Sequence, residues 1–234
     1  MLRKICRWVF LPVFVFCAYN LHAGDIAAFI DFGFSENGKF YAFAQYGVEA
    51  STLIPWAELF IVDVAANDFV KDGIIKYKHN KEIEAGQDGS GAIFSLLSRN
   101  TALAAKYGFD FLRQGVPLFI SLENGQYKAD SAIEFRDFDY NISYKAALNP
   151  EIRSSGKNLT SSFTIDLERS DGSAVSNYKI GTPEMRRALI TSYTIKRVFA
   201  SPDRKSMVFV LEMTRTGSDN EAPDIRYMVE TIRF

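Results

Sequence analysis

The sequence predicts a mainly β fold: antiparallel meanders of short strands, packed as a sandwich or arranged in a propeller-like way, with one amphipathic helix at about 92–107. Three observations predict it. Aromatic residues make up 14% of the chain, with 20 Phe and 11 Tyr, and such residues favour strands. Apolar runs are of strand length, as at Leu59-Phe60-Ile61-Val62. Between the runs stand tight-turn signals, Asn37-Gly38, Asn124-Gly125 and Ser170-Asp171-Gly172, made of residues that tolerate φ > 0 or bond their own backbone.

The N-terminus reads as an export signal. Arg3, Lys4 and Arg7 form a basic region, Trp8 to Ala18 an apolar one, and Leu21-His22-Ala23 a cleavage site, the three parts of a secretory signal peptide. The apolar run falls short of the ~20 residues a spanning helix needs. Phe16 before Cys17 does not fit a lipoprotein signal. The expectation is cleavage after about Ala23, with 1–23 removed and 24–234 forming a single β-rich domain, secreted or periplasmic, without a transmembrane segment. Cys6 and Cys17 leave with the signal, so disulfide and thiolate chemistry leave too. Removing three of the 27 basic residues and none of the 28 acidic ones changes the net charge from −1 to −4. That mild acidity gives no reason to expect nucleic acid or an anionic membrane as partner.

The elements follow in order. Phe29, Ile30, Phe32 and Phe34 precede the Asn37-Gly38 turn, and Phe40, Tyr41 and Phe43 follow it, which predicts a hairpin with a two-residue turn. Leu59–Val62, bounded by Glu58 and Asp63, suits a strand covered on both faces. Residues 65–91 are polar and turn-rich, with a short strand at Ile74–Tyr77. Ile93, Leu96, Leu97, Asn100, Leu103, Ala104 and Tyr107 keep helical spacing up to Gly108, a suitable helix-ending residue. Strands are then expected at 118–122, 126–136, 139–148 and 158–167. In the last of these Ile165 and Leu167 alternate with Asp166 and Glu168, so one face meets water. A short helical turn is expected at Pro183–Ala188, and strands at 192–199, 206–213 and 224–234 close the chain. The total is roughly ten to twelve short strands.

Residues 199–230 also match 33–64 without a gap: Ser201, Lys205 and Phe209 repeat Ser35, Lys39 and Phe43, and Asp203 stands in the place of Asn37. Repeats of this kind bear directly on architecture.

Few chemistries are open to these residues. Past the signal the only histidine is His79; a Ser-His-acid triad would need it, and no G-x-S-x-G turn presents a serine. Zinc sites need several His or Cys ligands, so no metal and no cofactor are expected. Gly89-Ser90-Gly91 opens the helix but lacks the spacing of a phosphate loop. Asp63 and the pair Asp137 and Asp139 are carboxylates without a calcium-loop pattern. No catalytic residue is assigned. The best binding candidate is the 47–56 loop with its flanks, where Tyr46, Leu53 and Trp56 lie between two firm strands; loops on rigid scaffolds often carry function. The competing reading makes Ile54 and Trp56 a plug at one end of the core.

Phe34-Ser35-x-Asn37-Gly38-Lys39, then an aromatic strand and a strand ending in Asp63, resembles a blade motif of TolB-like β-propellers, and 199–230 is its fainter counterpart. The chain as a whole resembles a bacterial family of predicted secreted proteins of unknown function. The resemblance lies in Phe34 to Phe43, Tyr46-Gly47, Trp56 to Asp63, Pro183 to Tyr193 and Ala222-Pro223-Asp224-x-Arg226-Tyr227-Met228; residues 65–180 are unmatched. Relatives carry cysteines in their second half, and this chain has none there. The resemblance implies export and carries no reaction and no site residue. The expected function is a non-enzymatic periplasmic or envelope binding module, with an envelope protein or glycan as partner. The alternatives are a carboxylate-dependent hydrolase of envelope glycans and a structural envelope protein.

Overall fold

The computed structural model describes residues 24–112, 114–121, 132–155, 158–216 and 222–234. The expected signal peptide and the expected Asn124-Gly125 turn lie outside the described residues. Among the described residues thirteen strands form three antiparallel sheets, none of which closes into a barrel, and two short helices accompany them. The first sheet is a meander of β1 (Ala28–Phe34), β2 (Phe40–Val48), β3 (Pro55–Asp63) and β4 (Asp68–Lys78). Helices α1 (Gly91–Ser98) and α2 (Ala102–Tyr107) follow, then β5 (Val116–Ile120). The second sheet holds β6 (Ile133–Asp137), β7 (Ile142–Ser155), β8 (Asn158–Ser170), β9 (Val175–Ile180) and β10 (Arg187–Ala188); β9 and β10 each pair with β8. The third sheet runs β13-β12-β11-β5, with β11 (Ile190–Ala200), β12 (Ser206–Arg215) and β13 (Asp224–Arg233).

The third sheet is the middle layer. On β12, Val208 and Val210 pack with Phe34, Tyr41, Phe43 and Phe60 of the first sheet. Met207, Phe209 and Leu211, on the other face of the same strand, pack with Ile133, Tyr144, Phe163 and Ile165 of the second. The period-two alternation of a strand thus feeds two cores, and every residue from Met207 to Leu211 is apolar and buried. The far face of the first sheet is covered by α1, where Ala92, Ile93 and Leu96 meet Ala44, Ala57 and Leu59. The order of layers is helix, first sheet, third sheet, second sheet.

Five details differ from expectation. The helix at 92–107 is two helices, because Asn100 turns its side-chain amide back to the Leu96 carbonyl (2.8 Å) and Asn and Thr are poor helix formers. Gly108 does end α2, at φ 67°. The Asn37-Gly38 hairpin is wider than two residues: Ser35 N–H bonds the Phe40 carbonyl (2.8 Å), and only Gly38 of the pair has positive φ. Pro183–Ala188 is a turn running into β10 rather than a helical turn. β4 is far longer than Ile74–Tyr77, and β9, after the Ser170-Asp171-Gly172 turn, was not expected.

The two matched hairpins share one turn chemistry. Ser35 Oγ donates to Asn37 Oδ1 (2.9 Å) and accepts from Phe40 N–H (2.9 Å), while Lys39 N–H bonds Asn37 Oδ1 (3.0 Å). Ser201 Oγ donates to Asp203 Oδ1 (2.6 Å) and accepts from Ser206 N–H (3.0 Å), while Lys205 N–H bonds Asp203 Oδ1 (3.1 Å). The position after Asn or Asp is left-handed in both, Gly38 at φ 67° and Arg204 at φ 57°. Glycine adopts that conformation without strain and arginine does not. Arg204 is held there from outside: its Nε donates to Asp137 Oδ2 at 2.6 Å, a second nitrogen lies 3.1 Å from Asp139, and its guanidinium lies 5.3 Å from the centre of the Tyr140 ring. Asp137 is 2% exposed and also accepts the Asp139 and Tyr140 N–H groups. One side chain thereby ties the β11–β12 turn to the β6–β7 turn of the neighbouring sheet.

The outer edge of β13 is sealed as well. Gln45 accepts the Tyr227 N–H (2.8 Å), Asn67 accepts the Thr231 N–H (2.6 Å), and Ile225 exchanges bonds with Asp25 and Ala27. Covering an edge in this way removes a template for unwanted pairing. Glu230, 5% exposed, accepts from the Asn67 amide; burial pushes its carboxyl pKa up.

Arg204→Ala keeps a side chain at the left-handed position and leaves Asp137 buried without its cation. The expected cost is about 3 kcal/mol, read as a fall of roughly 6–12 °C in Tm. A Tm equal to that of the wild type would show that the ion pair does not hold the two turns.

Candidate functional site

Strand parity decides where the expected binding residues point. Tyr46 pairs with Ala57, and Gly47 pairs with Trp56. Opposed residues share a face and neighbours along a strand do not, so Tyr46 and Trp56 lie on opposite faces of the first sheet. Tyr46 packs on the helix side beside Ala57 and Ile93. Burial and the nearby Asp88 carboxylate raise its phenol pKa.

Trp56 faces the third sheet. Gly47 opposite it leaves room for the indole: a Cβ there would come within 2.9 Å of the ring. The Arg226 guanidinium lies 4.4 Å from the ring centre, a cation–π contact. Arg226 in turn donates to the Asp25 carbonyl (2.9 Å) and pairs with its carboxylate (3.3 Å). Trp56 is therefore a clamp joining the start of the described chain, the first sheet and β13.

Leu53 sits in the loop at φ 56°. Its N–H donates to the Glu49 carbonyl (2.8 Å) and its carbonyl accepts the Ile83 N–H (2.9 Å). The Ala50 N–H is fixed by Asp25 (2.6 Å). The loop is short, from 49 to 54, and tied at several points, because β2 runs to Val48 and β3 starts at Pro55.

Around Trp56 opens a cleft of about 410 Å³ whose walls are mostly charged: Asp25, Glu49, Glu58, Lys76, Lys78 and Arg226. Each carboxylate has a cation. Lys78 lies 2.6 Å from Glu49, Lys76 2.8 Å from Glu58 and Arg226 3.3 Å from Asp25. The hydrogen bond from Lys78, then that from Thr52, holds the Glu49 carboxyl below the usual range. The charged partners were missed in the sequence because Glu58, Lys76 and Arg226 meet only through the register of β3 on β4 and the packing of β13. Alternating Lys76 and Lys78 on one strand was the available signal.

The other candidates are placed as follows. The Asp63 carboxylate accepts the Ala65 and Ala66 N–H groups in the β3–β4 turn. Asp137 and Asp139 hold Arg204. His79 Nδ1 lies 2.8 Å from the Tyr77 hydroxyl. Just before α1 the Asp88 carboxylate accepts the Ser90 N–H (3.0 Å), and the Ala92 and Ile93 N–H groups bond the Gly89 and Ser90 carbonyls. No cluster of three or more His, Cys, Asp or Glu able to hold a metal occurs among the described residues. No helix among them is long and apolar enough to cross a membrane.

A family model described as "Predicted secreted protein (DUF2259)" matches residues 42–233. No curated protein and no solved structure matches the chain.

Trp56→Ala removes the clamp and leaves Arg226 without the ring. The expected loss is about 2 kcal/mol, below that for a fully buried Trp, and a Tm lower by roughly 4–8 °C. An unchanged Tm would mean that the indole carries no packing and is free for a partner.

Proposed function

The chain belongs to this family of predicted secreted proteins, and from that premise we propose that it works, after export and removal of residues 1–23, as a non-enzymatic binding module of the periplasm or envelope. The observation that carries the proposal is the charged cleft around Trp56, walled by both signs of charge and built on a loop held at Glu49, Leu53 and Asp25. A preformed loop spares the ordering cost of binding. Paired charges around an aromatic suit a polar segment of an envelope protein, whose own charges can exchange with the lysines. In this reading Trp56 shapes the cleft from within, Leu53 holds the loop beside it through its backbone bonds to Glu49 and Ile83, and Tyr46 supports β2 from the helix side. The TolB-like reading of the two hairpins belongs to the same proposal, and the shared Ser-x-Asn/Asp turn supports it.

The hydrolase reading draws on one observation, that Glu49 and Glu58 line the same cleft. A general acid needs a carboxyl group held neutral near working pH. Glu49 is shifted the other way by Lys78 and does not suit that role.

Crosslinking in intact cells with the exported protein as bait, followed by the same capture with Lys76→Glu/Lys78→Glu, tests the proposal. Both lysines are more than half exposed, so the fold should tolerate the exchange. The expected result is one abundant envelope partner, lost in the double variant while Tm moves by no more than a few degrees. Equal capture by the variant would overturn the assignment of the cleft. Release of sugar from envelope glycan by the purified wild type would favour the hydrolase instead.

A further inference from the structure

On the opposite side of the first sheet, the break between α1 and α2 creates a second cavity of about 270 Å³. Ala42, Leu59 and Ile61 of β2 and β3 form its floor, and Leu103 and Ala104 of α2 line it from above. Phe32 and Phe111, with ring centres 5.3 Å apart, line it as well, together with Phe109. Polar groups occur in the lining only where the helices separate, at Ser98, Asn100 and Thr101. Two of these are already committed: Asn100 to the Leu96 carbonyl and Ser98 to the Ser95 carbonyl. Next to Phe111 in the chain, Leu112 is 92% exposed.

We propose that this cavity binds the alkyl chain of a single-chain amphiphile, with the chain against the sheet floor and the head group at the Ser98–Thr101 break. The chemistry of the lining selects that class. An apolar body with polar atoms at one end matches a ligand that is apolar along its length and polar at one terminus. A polar ligand would leave its hydrogen-bonding groups unpaired against Leu59, Ile61 and Leu103, which costs it affinity. The size limits the chain. Apolar cavities of ~150 Å³ already take benzene and stay dry when empty, whereas drug-sized ligands need ~300–1,000 Å³. A medium-length alkyl chain lies between them. The site faces away from Trp56, so it stands or falls apart from the charged cleft.

The probe is decanoate, below its micellar concentration, titrated into the 24–234 protein by calorimetry and followed by NMR of methyl-labelled Ile and Leu. The expected result is saturable binding at one site per chain, with shifts centred on the Ile61, Leu97 and Leu103 methyls. Ala104→Trp fills the cavity from α2 and is expected to weaken binding by roughly tenfold or more with the β-sheet spectrum unchanged. Absence of saturable binding, shifts centred elsewhere, or equal affinity in a folded Ala104→Trp protein would each overturn the proposal. Should that variant fail to fold, the methyl map of the wild type decides alone.

Discussion

Everything in this fold depends on one strand being apolar on both faces. β12 lies between two sheets, so Val208 and Val210 must fit one core while Met207, Phe209 and Leu211 fit the other. A polar residue at any of these positions would be buried without water, which costs free energy unless a partner is found. The usual reason for an antiparallel strand to alternate, one face in water, is absent here. The same constraint reaches β3, where Phe60 and Val62 face the middle layer and Leu59 faces α1. Sheets stacked this way must be held in relative position, and the polar contacts do that. Arg204 joins the third sheet to the second through Asp137, and Gln45 and Asn67 join the first to the backbone of β13. Each contact uses a side chain where a backbone edge or a buried carboxylate would otherwise be left unpaired.

The parts that local rules govern were legible in the sequence. The continuous run from Leu59 to Val62 announces a strand covered on both sides, and 206–213 reads as a strand, whose burial on both faces the packing then shows. Ile165 and Leu167 are buried while Asp166 and Glu168 face water, as their alternation implies. The Ser-x-Asn-Gly-Lys turn has an echo at Ser201, and the echo is real at the level of hydrogen bonds, with an arginine where glycine would be easier. The parts that escaped depend on pairing across long separations. The second half of β7 is polar and carries no apolar period, yet it pairs with β8 along its whole length. The apolar stripe runs through Asn100 and so predicts one helix, whereas the side chain of Asn100 competes for the backbone and helps to end the first helix.

The functional region illustrates the same division. Sequence proximity placed Tyr46, Leu53 and Trp56 together as one aromatic loop. Parity separates them, since the register of β2 on β3 puts Tyr46 and Trp56 on opposite faces, and a shift of one residue would have put them on the same one. What gathers around Trp56 instead is charge, brought from Asp25, Lys76 and Arg226, far apart in the chain. The first sheet therefore serves two surfaces: a charged cleft on one side and a small apolar cavity on the other, where the helix breaks.

The middle sheet is the rigid layer against which the first sheet, carrying both of these surfaces, is packed. Native-state hydrogen exchange of backbone amides tests it most directly, because protection reports the free energy of local opening. The β12 amides from Met207 to Leu211 should exchange only through global unfolding, more slowly than those of β4 and of the β7–β8 arm beyond Asn149. Exchange of the β12 amides at a lower opening free energy than the first sheet would contradict the account, since the layer buried on both faces would then be the one that opens first.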